Sequence, residues 1–100
     1  MVNYQIIVST SAEMDIQESF DYYNAQKDDL GYEFYDEIHK YFLLIAVNPF
    51  SFPKSVKHTR RCVVRRFPFN IIFTVDKQTK LIIIVAVFHT SRNPADLQNL

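Results

Sequence analysis

Three strand-like runs follow one another in the second half of this 100-residue chain, and they limit the folds that it can adopt. The runs cover residues 60–67, 69–76 and 81–88, which are rich in the β-branched and aromatic side chains that suit a pleated surface. The middle run alternates between two faces. The third is apolar on both faces, which is typical of a strand that is covered on each side. Residues 76–80 predict a hairpin loop between these two runs.

The first half of the chain predicts one strand and two helices. Residues 4–8 form a short β-type run, after which apolar residues recur at helical spacing to about Gln26. A second helical stripe begins at Leu30, and Asn48-Pro49 ends it. Thr10 with Glu13 has the spacing of a capping box for the first helix. Asp28 or Asp29 can cap the second.

We therefore predict an α+β fold in the order β-α-α-β-β-β. The last three strands form an antiparallel meander, and the helical hairpin packs on one face of the sheet. The predicted core consists of these apolar residues: Ile16, Phe20, Phe34, Ile38, Phe42, Ile71, Phe73, Ile83 and Val85.

The length predicts a single domain over residues 1–100. A lone cysteine, Cys62, forbids an internal disulfide and fits a reducing compartment. The first residues are too polar for a signal peptide, and no run reaches membrane-spanning length. We expect a cytoplasmic protein that does not bind a membrane.

Charge is divided between the two halves, although the net charge is zero. Residues 1–50 carry two lysines against nine acidic residues, a difference of −7, and residues 51–100 carry nine basic against two acidic residues, a difference of +7. From residue 54 to residue 70 there are six lysines or arginines and no acidic residue; we call residues 54–70 the basic segment. The division suggests an anionic partner, but attraction between the halves within the fold explains it as well.

The candidate chemistry lies at the ends of the last strands. The chain lacks a glycine-rich phosphate loop and metal-ligand spacing, so we expect no cofactor and no metal. What remains is the arginines of the basic segment together with His89 and Arg92. Arginine binds phosphate or carboxylate bidentately, and histidine transfers protons near neutral pH. Alternatively, His89 only hydrogen-bonds the Asn93-Pro94 turn, while Arg92 pairs with an acidic residue.

Several local patterns resemble the RelE/ParE superfamily of type II toxin–antitoxin (plasmid stabilization) toxins. They occur in order along essentially the whole chain: Ala12-x-x-Asp15-Ile16, Tyr22-Tyr23, Leu30-Gly31-x-x-Phe34, Ile45-x-x-Asn48-Pro49, Arg66-Phe67-Pro68-Phe69 and Val87-x-His89-x-x-Arg92-x-Pro94. The resemblance implies a toxin that inhibits growth until a cognate antitoxin binds it, with a toxin–antitoxin hetero-oligomer as a possible assembly.

The superfamily divides by target, and the resemblance leaves three functions open. ParE-like members inhibit DNA gyrase, and RelE-like members bind the ribosome and cut messenger RNA, often with a tyrosine near the chain end. The last tyrosine here is Tyr41 and the chain is neutral overall, so the gyrase inhibitor is slightly favoured. The third possibility is a binding module of the same fold that is no longer toxic.

The resemblance also assigns roles to the candidate residues. If the protein is an endoribonuclease, His89 is the expected acid or base, and Arg65 or Arg66 stabilises charge at the scissile phosphate. An antitoxin segment with an amphipathic helix and acidic residues is expected to bind across the strand predicted over residues 60–67. The residues expected to bind the target or the antitoxin are Lys57, Arg60, Arg61, Arg65, Arg66 and Arg92.

Overall fold

In the computed structural model, which describes residues 3–91, the chain follows the predicted order of one strand, two helices and three strands. The elements are β1 (Gln5–Val8), α1 (Thr10–Gln26), α2 (Leu30–Val47), a 3-10 turn (Pro49–Ser51), β2 (Arg60–Val64), β3 (Phe69–Asp76) and β4 (Leu81–His89). The two helices pack on one side of the sheet, so the predicted α+β class is confirmed. No helix within residues 3–91 is both long and apolar enough to cross a membrane.

The four strands form one mixed sheet in the order β1-β4-β3-β2. The strands β2, β3 and β4 make the predicted antiparallel meander. The position of β1 was not predicted: it pairs in parallel with β4, with Gln5 opposite Leu81 and Val8 opposite Ile84. The apolar strand β4 therefore has a neighbour on each edge, which agrees with its nearly continuous apolar sequence.

The close approach of the two helices depends on Gly31, the only glycine of the chain. A Cβ atom at this position would lie 2.6 Å from the carbonyl oxygen of Phe20 and 2.7 Å from Oδ1 of Asn24. The Gly31 N–H donates to that same Oδ1 at 2.7 Å. Asn24 of α1 thus satisfies a free N–H at the start of α2.

The two predicted helix caps are wrong in detail. Oγ of Ser9, not of Thr10, accepts the first-turn N–H of Ala12 at 3.1 Å, so α1 is capped one residue earlier than the capping-box spacing suggested. Asp29 precedes α2 but makes no capping hydrogen bond with its side chain, because its backbone is left-handed (φ 67°). The Asn24 side chain contributes across the hairpin instead.

The core between the helices and the sheet contains most of the predicted residues. Buried as predicted are Ile16, Phe34, Ile38, Phe42, Ile71 and Phe73. Phe20 of α1 is only half-buried, and its ring centroid lies 4.8 Å from that of Tyr32 in α2. We call the face of the sheet that carries Ile71 and Phe73 the helix side, and the opposite face, with a small cluster of Ile72, Ala86 and Phe88, the far side.

The assignment of Ile83 and Val85 to the core is wrong, because a β-bulge interrupts the ladder between β3 and β4. Ile72 pairs with Ala86, whereas Phe73 pairs with Ile84, which leaves Val85 as the extra residue. On the helix side β4 contributes Ile82 and Ile84 before the bulge and Val87 after it. Ile83 is 39% exposed. A strict alternation along β4 cannot predict this change of side.

The strand predicted over residues 60–67 ends at Val64, and residues 65–68 form a turn. Pro68 has no N–H to donate to a ladder, and its carbonyl oxygen instead accepts the Thr90 N–H at 2.7 Å. The turn places Arg65 and Arg66 beyond the end of β2, although both lie within the predicted run.

Candidate functional site

Arg60 begins β2 on the helix side, since it pairs with Phe73. Its Nη1 donates to the carbonyl oxygen of Phe52 at 2.7 Å, and its guanidinium lies 5.1 Å from the ring centroid of Phe50. These contacts hold the loop before β2 against the strand. Lys57, another predicted binding residue, is exposed in that loop with a positive φ of 52°.

Arg61 lies on the far side of the sheet, where it pairs with Ile72. Its Nε is buried and finds no hydrogen-bond acceptor among residues 3–91. A buried donor without an acceptor destabilises a protein by about 1–3 kcal/mol, so a carboxylate or phosphate that reaches this atom gains a favourable contact.

Arg65 and Arg66 lie in the turn between β2 and β3 and are exposed. Arg66 forms an ion pair with Glu33 of α2, and its guanidinium lies 5.1 Å from the ring centroid of Phe67. Arg65 has no hydrogen bond or ion pair with any residue from 3 to 91. Of the basic residues described, Arg65 is therefore available to a partner without loss of an internal contact.

His89 ends β4 on the helix side, opposite Phe69, and the two ring centroids are 5.6 Å apart. Its Nδ1 accepts the Ser91 N–H at 3.1 Å and lies 2.8 Å from the Ser91 Oγ. An Nδ1 that accepts an N–H carries no proton, so in the neutral ring the proton is on Nε2. These contacts stay within residues 89–91, and the predicted alternative, a hydrogen bond from His89 to the Asn93-Pro94 turn, falls outside the described residues.

His89 lines a surface cleft of about 590 Å³ between α1 and the adjoining ends of β3 and β4. We call it the His89 cleft; its lining residues are Asp15, Glu18, Ser19, Tyr22, Tyr23, Pro68, Phe69, Val87, Phe88, His89 and Ser91. Two carboxylates, two phenols and an imidazole thus line one cleft, and no lysine or arginine among residues 3–91 does. Burial, and secondarily the neighbouring Tyr22, raises the pKa of the Tyr23 phenol, so this hydroxyl stays protonated.

The structure places the predicted site residues on both sides of the sheet. His89 is on the helix side and Arg61 is on the far side of the same sheet. Arg60 is on the helix side but four residue pairs along the strands, about 13 Å at the usual rise. Arg65 and Arg66 lie at the same end of the sheet as His89, but neither lines its cleft. Arg92 lies outside the described residues.

Asp15 is the residue that sequence reasoning missed. A carboxylate on the polar face of a helix suggested a solvated position, but Asp15 is half-buried and its Oδ2 accepts the Val87 N–H at 3.0 Å. This hydrogen bond joins α1 to β4 two residues after the bulge. The available signal was its place in the Ala12-x-x-Asp15-Ile16 pattern, which periodicity alone does not explain.

A second groove, of about 750 Å³, runs between the two helices. Its walls combine apolar and aromatic side chains with two carboxylates: Val8, Glu13, Ile16, Gln17, Phe20, Tyr32, Tyr35, Asp36, His39 and Phe42. Tyr32 is 58% exposed and Leu43, farther along α2, is 70% exposed. Exposed apolar surface of this kind marks interaction sites more often than isolated side chains do.

Metal and thiol chemistry find no support among residues 3–91. No three histidine, cysteine or acidic side chains in this part of the chain are grouped as metal ligands would be. Cys62 is buried on the helix side of β2, and burial raises the pKa of its thiol to about 12. The thiol therefore stays protonated at neutral pH and is a poor nucleophile.

One family model matches nearly the whole sequence. It is the model described as the ParE toxin of the type II toxin–antitoxin system parDE, and it matches residues 6–94. No protein of curated function matches the sequence.

Solved structures with a similar fold include toxin–antitoxin complexes. The chromosomal ParDE system of P. aeruginosa is 18% identical over 86% of this chain and 95% of that chain, with a TM-score of 0.75. The RelBE2 complex of Mycobacterium tuberculosis is 15% identical over 92% and 97%, with a TM-score of 0.66. The intact E. coli RelBE complex is 11% identical over 89% and 99%, with a TM-score of 0.67. At these identities the likeness concerns the fold.

Proposed function

The chain belongs to the ParE toxin family of type II toxin–antitoxin systems, and from that premise we propose that it arrests growth by binding DNA gyrase. On this proposal it is not an enzyme, and toxicity depends on a binding surface. Solved ParDE and RelBE complexes both have a fold similar to this chain. The fold therefore does not distinguish the two mechanisms, and the choice must come from the site.

The observation that carries the proposal is that none of the described arginines, Arg60, Arg61, Arg65 and Arg66, lines the cleft of His89. Cleavage of a phosphodiester needs an acid or base within hydrogen-bond reach of the reacting oxygen and a cation at the phosphate. Among residues 3–91, His89 instead shares its cleft with Asp15 and Glu18. Two carboxylates repel a phosphate group, which disfavours RNA in this cleft and supports the gyrase inhibitor over the ribonuclease.

The experiment is expression of the chain in cells that lack its antitoxin, together with assays on purified components. We expect growth arrest with induction of the DNA damage response, and inhibition of supercoiling by purified gyrase. Growth arrest with messenger RNA cleavage on translating ribosomes, and normal gyrase activity, would contradict the proposal and favour the ribonuclease. Harmless expression of the folded protein would identify the third alternative, a non-toxic binding module.

We also propose that a cognate antitoxin neutralises the toxin through an acidic segment that reaches Arg61 and Arg65. The similar folds come from toxin–antitoxin complexes, and the buried Nε of Arg61 has no acceptor in the described part of the chain. The groove between the helices offers an apolar surface for an amphipathic helix of the same partner. Partner charges of this kind mainly accelerate association.

Charge reversal tests the antitoxin contact. The variant Arg61→Glu with Arg65→Glu should weaken antitoxin binding and slow association most at low salt. The control is Lys77→Glu with Lys80→Glu, which makes the same change in charge in the β3–β4 hairpin loop. Equal effects of the two pairs, or an affinity that depends on neither pair nor salt, would contradict a local contact at Arg61 and Arg65.

A further inference from the structure

We propose that the His89 cleft binds a peptide segment of a protein partner through an arginine side chain. The cleft lies at the same end of the sheet as Arg65 and Arg66, but neither of these arginines lines it, and the acidic residues of its wall come from α1. The assignment does not rest on the proposed function, because it concerns recognition by the isolated chain whatever its target.

The electrostatic argument begins with the carboxylates. The α1 helix, from Thr10 to Gln26, carries four acidic residues and no lysine or arginine. Two of them, Asp15 and Glu18, line the cleft. Asp15 is fixed by its hydrogen bond to the Val87 N–H, whereas the carboxylate of Glu18 has no hydrogen bond or ion pair with any residue from 3 to 91. One carboxylate is thus anchored and the other is available to a cation.

The aromatic walls narrow the class of cation. Tyr22 is 61% exposed and packs edge-on against Tyr23, with ring centroids 5.4 Å apart. Tyr23 in turn packs against Phe69 at 6.2 Å. Cations bind over such rings, and the planar guanidinium of arginine both stacks on an aromatic face and pairs bidentately with a carboxylate. A lysine ammonium can do neither to the same extent.

The size and floor of the cleft favour a peptide over a small free cation. Binding clefts for molecules larger than a single functional group enclose roughly 300–1,000 Å³, and this cleft encloses about 590 Å³. Pro68, Phe69 and Val87 give it an apolar portion, which suits the methylene stem of arginine and its neighbouring residues. A guanidinium alone would fill only a small part of this space.

The probe is a blocked hexapeptide with two arginines, titrated into the isotope-labelled full-length chain and followed by amide chemical shifts. The control peptide has citrulline, which is neutral and of similar shape, at both arginine positions. We expect shifts at α1 residues 15–23 and at the end of β4, and binding of the citrulline peptide about fivefold or more weaker. Equal affinity of the two peptides, or shifts confined to other surfaces, would overturn the proposal.

Two matched variants separate a site from a general attraction to acidic protein. Glu18→Gln should weaken binding of the arginine peptide by roughly three- to fivefold. Asp36→Asn, which removes the same charge from the other groove, should change binding by less than about twofold. Equal weakening by both variants would overturn the site. A lysine hexapeptide that binds as tightly as the arginine peptide, or spermidine that competes as well, would overturn the assignment to a peptide arginine.

Discussion

The His89 cleft and the turn that carries Arg65 and Arg66 lie at the same end of the sheet, yet their chemistry is opposite. Val64, which precedes the turn, pairs with Phe69, and Phe69 pairs with His89. On the helix side His89 shares its cleft with carboxylates of α1, whereas Arg66 forms an ion pair with Glu33 of α2. The helix that packs against each region, more than its position along the strands, therefore determines which charges it contains.

The largest effect is expected from Phe34, which lies beneath both regions. Its ring is 5.3 Å from that of Tyr23, 5.0 Å from that of Phe69 and 5.6 Å from that of Phe67, all centroid to centroid. Phe34→Ala should lower the free energy of unfolding by roughly 3–5 kcal/mol, because it leaves a cavity in the core. Leu43→Ala, at a position 70% exposed, should change it by no more than about 0.5 kcal/mol. Denaturant titration measures both, and similar losses would contradict this packing.

Substitution of Asp15 tests whether its hydrogen bond to Val87 holds α1 on the sheet. Asp15→Ala leaves the Val87 N–H without its acceptor, which should lower the free energy of unfolding by about 1–3 kcal/mol. Asp21→Ala is the control, since Asp21 makes an exposed hydrogen bond with Gln17 of the same helix. Chemical denaturation of both variants should show the difference. A loss at Asp15 no greater than at Asp21 would indicate that the carboxylate is not a structural link.

Cys62 tests how well the helix side of the sheet is closed to water. Burial raises its thiol pKa to about 12, while an unfolded thiol titrates near about 8.5. Stability from this group is therefore present below pH 8.5 and is lost as pH rises toward 12. Between pH 7.5 and 9.5 the loss should be roughly 1.4 kcal/mol.

The matched variant for this pH dependence is Cys62→Val, which removes the titrating group. The difference in free energy of unfolding between the two proteins should change by roughly 1.4 kcal/mol from pH 7.5 to pH 9.5, because only the parent loses the thiol contribution. Parallel curves over this range would show that the thiol is not held in its protonated form.

The smallest effect is expected from the ion pair that fixes the basic turn. Arg66 and Glu33 are 55% and 41% exposed, and exposed pairs contribute only about 0.2–1 kcal/mol. A double-mutant cycle of Arg66→Ala and Glu33→Ala should give a coupling energy in that range, and it should fall with added salt. A coupling well above this range would mean that the turn is held more rigidly than its exposure implies.

The sequence predicted the fold well where a pattern is local. The helical stripes placed Phe34, Ile38 and Phe42 in the core, and all three are buried. The bulge at Val85 was not predictable from alternation, because one unpaired residue exchanges the two sides of β4 without changing its composition. The cap from Asn24 was missed because it crosses between helices.

The candidate site was less predictable for a related reason. Along the strands His89 lies three residue pairs from Arg61, and it faces the other side of the sheet. That side depends on the register and on the bulge. The carboxylates that line the cleft with His89 come from α1, more than 65 residues earlier in the chain, so no local motif predicts them.

On the proposal made above, this toxin acts by binding and not by proton transfer at His89. The decisive measurement is growth arrest by His89→Gln, with Arg66→Glu alongside it and folding of both checked by circular dichroism. We predict that His89→Gln retains most of the toxicity and that Arg66→Glu loses it. For a catalytic acid or base, the loss at His89 would be about 10²–10⁴-fold in rate. A folded His89→Gln variant that no longer arrests growth, with ribosome-dependent messenger RNA cleavage by the parent protein, would contradict the claim.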